Sequence, residues 1–191
     1  MARPSIRLDY NAPFTLTFAL LCIVAFAIAW LTGYEANRYI FSIQYHPDWA
    51  NAGTYVRLFT HVLGHATPEH LASNLLMILL LGPMLEEKYG WVTLLLTALC
   101  TALLTGLVMA LILPGTLLGA SGVAFAFIVL SSFTRFKAGT IPITFLLVAI
   151  LFVGHEVAMA LSDKGAADGI AQFAHILGGA VGAGVGWMKR A

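Results

Sequence analysis

The chain has 191 residues, 60% of them hydrophobic and 10% charged, with a formal net charge of +1 and a mean hydropathy of +0.88. Soluble domains are typically about 45–50% apolar and about 25% charged. One soluble core of this size could not hide so much apolar surface, so lipid is the solvent for most of the chain. The near-zero charge gives no electrostatic reason to expect nucleic acid as a partner.

Crossing a hydrocarbon core about 30 Å thick takes about 20 helical residues. Six apolar runs meet that need, at 13–31, 68–88, 91–113, 117–133, 141–161 and 170–188. The expected fold is therefore all-α and polytopic, a six-transmembrane-helix bundle forming a single membrane domain over 1–191. Arg3 and Arg7 precede the first run, and Ala27-Ile28-Ala29 resembles a signal-peptide cleavage site. The run is long for a signal peptide, and it reads as a retained span. The one long connection is 32–67, whose "TYVRLFTHVL" mixes aromatic, basic and apolar residues. Such a segment lies in the membrane interface or folds partly back into the bundle. Thr67-Pro68 opens the second span as an N-cap followed by proline at the first helical position. Links such as "EEKYG" and "TRFKAGT" join the later spans.

Orientation follows from the basic residues. With the N-terminus in the cytoplasm, Arg3, Arg7, Lys88, Arg135, Lys137, Lys189 and Arg190 fall inside, and Arg38, Arg57 and Lys164 fall outside. Both termini are then cytoplasmic, and the second, fourth and sixth spans enter from the outer face. His70 and Asn74 occupy the outer turns of the second span. Ser121 stands about four residues into the fourth, or about 6 Å at 1.5 Å per residue. His175 stands at a similar depth in the sixth. Polar groups at that depth must face protein or a water-filled cavity, so three helices far apart in sequence place Ser, His, His and Asn in one layer.

The helix faces agree. His70 and Asn74 are four apart and share a face. Gly178, Gly182 and Gly186 form a small-residue stripe with His175 one turn above, and Gly122 and Ala126 give the fourth span a ridge beside Ser121. Such stripes let helix backbones approach closely. If the two ridges meet, serine and histidine come within hydrogen-bond reach. Serine is a weak nucleophile without an adjacent base, and histidine can take and return a proton near neutral pH. Acyl transfer also needs donors where the oxyanion develops; the Ser121 N–H and the side chains of His70 and Asn74 suit that role. No aspartate lies in the layer, so the arrangement is a dyad.

Other polar residues admit more than one reading. His61 and His65 serve structural hydrogen bonding or, with His70, metal binding, although no Cys or acidic ligand accompanies them. His155 and Glu156 in the fifth span act in gating or proton transfer, pair with each other, or face the polar interior. Cys22 and Cys100 read as small buried hydrophobes. A transporter would use similar intramembrane polar residues, but no internal repeat of the kind transporters carry is evident.

The three polar patterns together resemble the rhomboid intramembrane serine proteases. "GASG", Gly119 to Gly122, is similar to that family's GxSG motif with Ser121 as nucleophile. "AHILGGAVG", Ala174 to Gly182, resembles its histidine-and-glycine helix with His175 as base, and "HLASN", His70 to Asn74, resembles its HxxxN motif for the oxyanion. Arg57, His61 and His65 match the end of the family's first loop. Two positions depart from the pattern: Phe125 stands where many bacterial members have tyrosine, and Val56 where the family often has tryptophan. The resemblance implies hydrolysis of peptide bonds in or near transmembrane segments of other membrane proteins. Substrates would enter sideways from lipid, and no metal or organic cofactor would be needed. It also leaves open a catalytically inactive relative that binds membrane clients, although such relatives usually lose the serine or the histidine.

Overall fold

The computed structural model describes residues 9–134 and 166–189, together with positions 143, 146, 147, 150, 151 and 154. Seven α-helices stand in the described segments: α1 (Pro13–Leu31), α2 (Glu35–Tyr39), α3 (Ala52–Thr60), α4 (Pro68–Tyr89), α5 (Trp91–Leu111), α6 (Ser121–Ser131) and α7 (Ala166–Met188). Two short strands, β1 (Ile43–Gln44) and β2 (Thr116–Leu117), pair antiparallel with Ile43 opposite Leu117. Among the described residues, α1, α4, α5 and the 170–188 part of α7 are long and apolar enough to cross a membrane. Most of the expected fifth span, including His155 and Glu156, lies outside the described residues, as do Arg3, Arg7, Arg135, Lys137, Lys164 and Arg190.

Buried polar groups tie the helices together where apolar packing alone would leave them free to slide. The first N–H groups of a helix have no partner inside it, and Ala12 provides no side-chain cap for α1. Glu86, near the far end of α4, supplies one across the helix pair. Its carboxylate accepts from the Phe14 and Thr15 amides at 2.8 and 3.0 Å and from the Thr15 hydroxyl at 2.8 Å. Glu86 is buried, and its carboxylate provides the acceptors that the free first-turn amides of α1 need. One turn earlier, Gly82 admits Thr15, because a Cβ there would meet the threonine side chain at 2.5–2.6 Å. Gly90, at φ +81°, ends α4 and turns the chain directly into α5.

Along α5, Thr97, Thr101 and Thr105 are buried at every fourth position. Thr97 and Thr105 satisfy their hydroxyls by donating to carbonyls one turn back, at 2.7 and 2.8 Å. Such threonines present a methyl group to the neighbouring helix at no polar cost. The central apolar cluster, with Ile78, Leu85, Leu94, Val123, Phe127 and Leu130, lies where α1, α4, α5 and α6 converge. Cys22 is buried, whereas Cys100 is exposed on the outer side of α5; in a membrane that position meets lipid rather than core.

The 32–67 connection folds back onto the bundle. Leu58 of α3 is buried against α5, where Gly106 allows the approach: a Cβ there would lie 2.9 Å from the Leu58 carbonyl oxygen. Val56, at the position where tryptophan is often found, points outward and is 53% exposed. Anchoring falls to polar groups instead. Arg57 donates to the Tyr39 carbonyl (3.3 Å) and Thr54 hydroxyl (2.9 Å), Thr60 donates to the Ile40 carbonyl, and Asn37 donates to the His65 carbonyl (2.9 Å).

Candidate active site

Ser121 is the first residue of α6, not the fifth of a helix starting at Leu117 as the apolar pattern predicts. The difference has two causes. Residues 116–117 pair as β2 with β1, and Gly119 adopts φ +129°, a backbone conformation that interrupts any helix and that side chains other than glycine rarely take. Ser121 therefore sits at a helix N-terminus, where the first N–H groups have no intrahelical acceptor.

Gly119 is constrained twice over. A Cβ there would lie 2.7 Å from His70 Cε1 and 2.8 Å from Nε2, with Asn74 Nδ2 at 3.9 Å. The loop before Ser121 thus lies directly against the two polar residues of α4. Thr67 caps α4 by accepting from the His70 amide at 3.2 Å, which fixes the first turn carrying His70. Asn74 is buried, and its Nδ2 has no hydrogen-bond partner. A buried donor without an acceptor is costly, and it faces the stretch that leads to Ser121.

On the other side of α6, the small-residue ridges do meet. A Cβ at Gly178 would overlap the Gly122 carbonyl, and one at Gly182 would overlap that of Ala126. Gly186 faces the Phe133 ring in the same way. This backbone-to-backbone contact brings the turn carrying His175 alongside the start of α6. The His175 imidazole stacks on Phe125, with ring centroids 4.1 Å apart and planes at 25°. Phe125 lies four residues after Ser121 and so on the same helix face. The stack needs only a ring, so phenylalanine fills the position where tyrosine is common.

His61 and His65 adjoin the candidate site through the Gly119 amide and the His70 ring. The His61 carbonyl accepts from the Gly119 amide at 2.9 Å, while its ring nitrogens meet the Arg57 carbonyl and Thr105 hydroxyl, both at 3.1 Å. His65 bonds the Leu63 carbonyl at 3.0 Å and meets the His70 ring edge-on at 5.0 Å. Burial pushes both imidazoles down to about 4, with the neighbouring His70 adding to the effect at His65. Both rings are therefore neutral at physiological pH. Among the described residues, no group of three or more His, Cys, Asp or Glu gathers as metal ligands would.

Four membrane-length helices among the described residues, with the short apolar helix α6 packed on one of them through glycines, define a helical membrane protein. A family model for the rhomboid domain matches residues 52–191, and the chain belongs to the rhomboid family. A search of curated proteins found no significant match. The rhomboid family is in the main one of intramembrane serine proteases and includes inactive members.

Proposed function

We propose that this rhomboid is an active intramembrane serine protease that hydrolyses peptide bonds in or near the transmembrane segments of other membrane proteins. Ser121 is the nucleophile and His175 the general base. The hydroxyl oxygen attacks the scissile carbonyl carbon while the imidazole takes its proton. The oxyanion accepts hydrogen bonds from His70, Asn74 and the Ser121 N–H. Collapse expels the amine, which takes the proton from His175, and water then hydrolyses the acyl-enzyme by the same proton route. Gly119, Gly122, Gly178 and Gly182 set the close approaches, and Phe125 positions the imidazole. In this reading six helices cross the cell membrane, both termini are cytoplasmic, and the site opens to the outer face.

The observation that carries the proposal is the Phe125–His175 stack. Phe125 lies four residues after Ser121 on α6, so the stack supports an imidazole held near the face that also bears Ser121, and the unpartnered Asn74 amide nitrogen close to the Gly119 loop supports the oxyanion role. The test is cleavage of a fluorescently tagged single-span substrate by the purified protein. Ser121→Ala and His175→Ala each abolish cleavage while the protein stays folded; turnover by a purified Ser121→Ala variant would refute the assignment.

A further inference from the structure

We propose that the connection between α1 and α4 carries a binding site for a phospholipid headgroup of the phosphoethanolamine type, separate from the site around Ser121. A groove of about 210 Å³ lies between α2 and α3, lined by Arg38, Arg57, Asp48, Asn51, Ser42 and Gln44. Arg38, Ser42 and Gln44 also line an adjoining groove of about 490 Å³. Both guanidinium groups meet neutral partners. Arg57 is held by the Tyr39 carbonyl and the Thr54 hydroxyl, and Arg38 lies 5.5 Å from the Tyr39 ring centroid. Two positive charges thus face one polar groove, an arrangement suited to a phosphodiester. Asp48 lines the same groove; one carboxylate oxygen accepts from the Ala50 amide at 2.9 Å, and the other is available to an ammonium group. The guanidinium groups suit the phosphate and Asp48 the ammonium, so the groove offers a partner for each charge of a phosphoethanolamine headgroup.

The surroundings favour lipid over a soluble peptide. Beyond the groove, α3 turns Tyr55, Val56 and Phe59 outward, at 53%, 53% and 40% exposure. Tyr39, Tyr45 and Trp49 are also exposed around it, and such amphipathic rings sit at the headgroup level of a membrane. Acyl chains hanging from a headgroup in the groove would cover the apolar face of α3, whereas a water-soluble partner would leave it wet.

The test is native mass spectrometry of the full chain in detergent, titrated separately with palmitoyl-oleoyl phosphatidylethanolamine and phosphatidylglycerol of the same chains. The ethanolamine lipid should be retained preferentially. Arg38→Gln should weaken its retention about tenfold, and Asp48→Asn should remove the preference between the two lipids. Arg57 also braces the loop, so the exposed Arg38 provides the decisive variant. Retention unchanged in Arg38→Gln, or equal retention of both lipids by the unaltered protein, would overturn the proposal. Displacement of the lipid by a soluble acidic peptide would also overturn it, reassigning the groove to a peptide segment.

Discussion

The Phe125 ring stacks on the His175 imidazole at 4.1 Å, joining α6 and α7 by a side-chain contact one turn from Ser121. An imidazole held on one face by an aromatic ring has little freedom to rotate, which under the proposed mechanism keeps it in place for the Ser121 hydroxyl. Phe125→Ala should therefore lower turnover about 10²-fold, the size of effect that misplacing a reacting group by about 1 Å produces. Phe125→Tyr, which keeps the ring, should stay close to the unaltered protein. Turnover numbers for the two variants on one substrate check this; equal losses in both would deny the ring a positioning role.

Gly178 and Gly184 provide an internal comparison on one helix. A methyl group at 178 overlaps the Gly122 backbone, whereas one at 184 meets nothing within 4 Å. Gly178→Ala should separate α6 from α7, costing about 1–3 kcal/mol from overpacking and removing activity by drawing His175 from the Ser121 face. Gly184→Ala should be neutral or slightly stabilising, since alanine is the better helix former. Thermal unfolding in detergent, run beside a cleavage assay, separates the two outcomes.

Glu86 caps α1 from α4 through three hydrogen bonds. Glu86→Ala should destabilise the protein by about 3 kcal/mol or more, because hydrogen bonds to a charged group contribute about 1.5–3 kcal/mol each and the α1 amides would be left without acceptors. Glu86→Gln keeps one acceptor oxygen and should lose less. The effect belongs to stability: at low temperature, the folded fraction of either variant should still cleave substrate.

His61 and His65 make stability depend on pH. Both are held down to about 4 in the folded protein from an ordinary value of 6.5, so the unfolded chain binds more protons between those values. Their contribution is fully present above pH 6.5 and is lost as pH falls towards 4, by about 1.4 kcal/mol per pH unit for each histidine. Unfolding midpoints measured from pH 7.5 to 4.5 should fall accordingly, and His61→Gln should flatten the slope.

Much of the site is legible in the sequence because its signals are periodic. The four-residue spacing of Gly178, Gly182 and Gly186, and of His70 and Asn74, is enough by itself to fix which helix face each occupies. The parts that escape notice depend on contacts between distant segments. "EEKYG" reads as a polar link, and nothing local distinguishes Glu86, which caps α1, from Glu87; the only hint is that Glu86 lies one turn after Gly82. The strands β1 and β2 have two residues each, too short for an alternating pattern, so their pairing moves the start of α6 from the expected 117 to Ser121. The threonine stripe of α5 and the Gly106 notch likewise acquire meaning only when α3 and α6 are packed against them.

The most direct test of the central claim is covalent labelling of the purified protein by a fluorophosphonate probe, which reacts with a serine only when a neighbouring base activates it. The account predicts stoichiometric labelling that maps to Ser121 and disappears in both Ser121→Ala and His175→Ala. An unlabelled protein that is folded and inserted, or labelling that persists in Ser121→Ala, would contradict it.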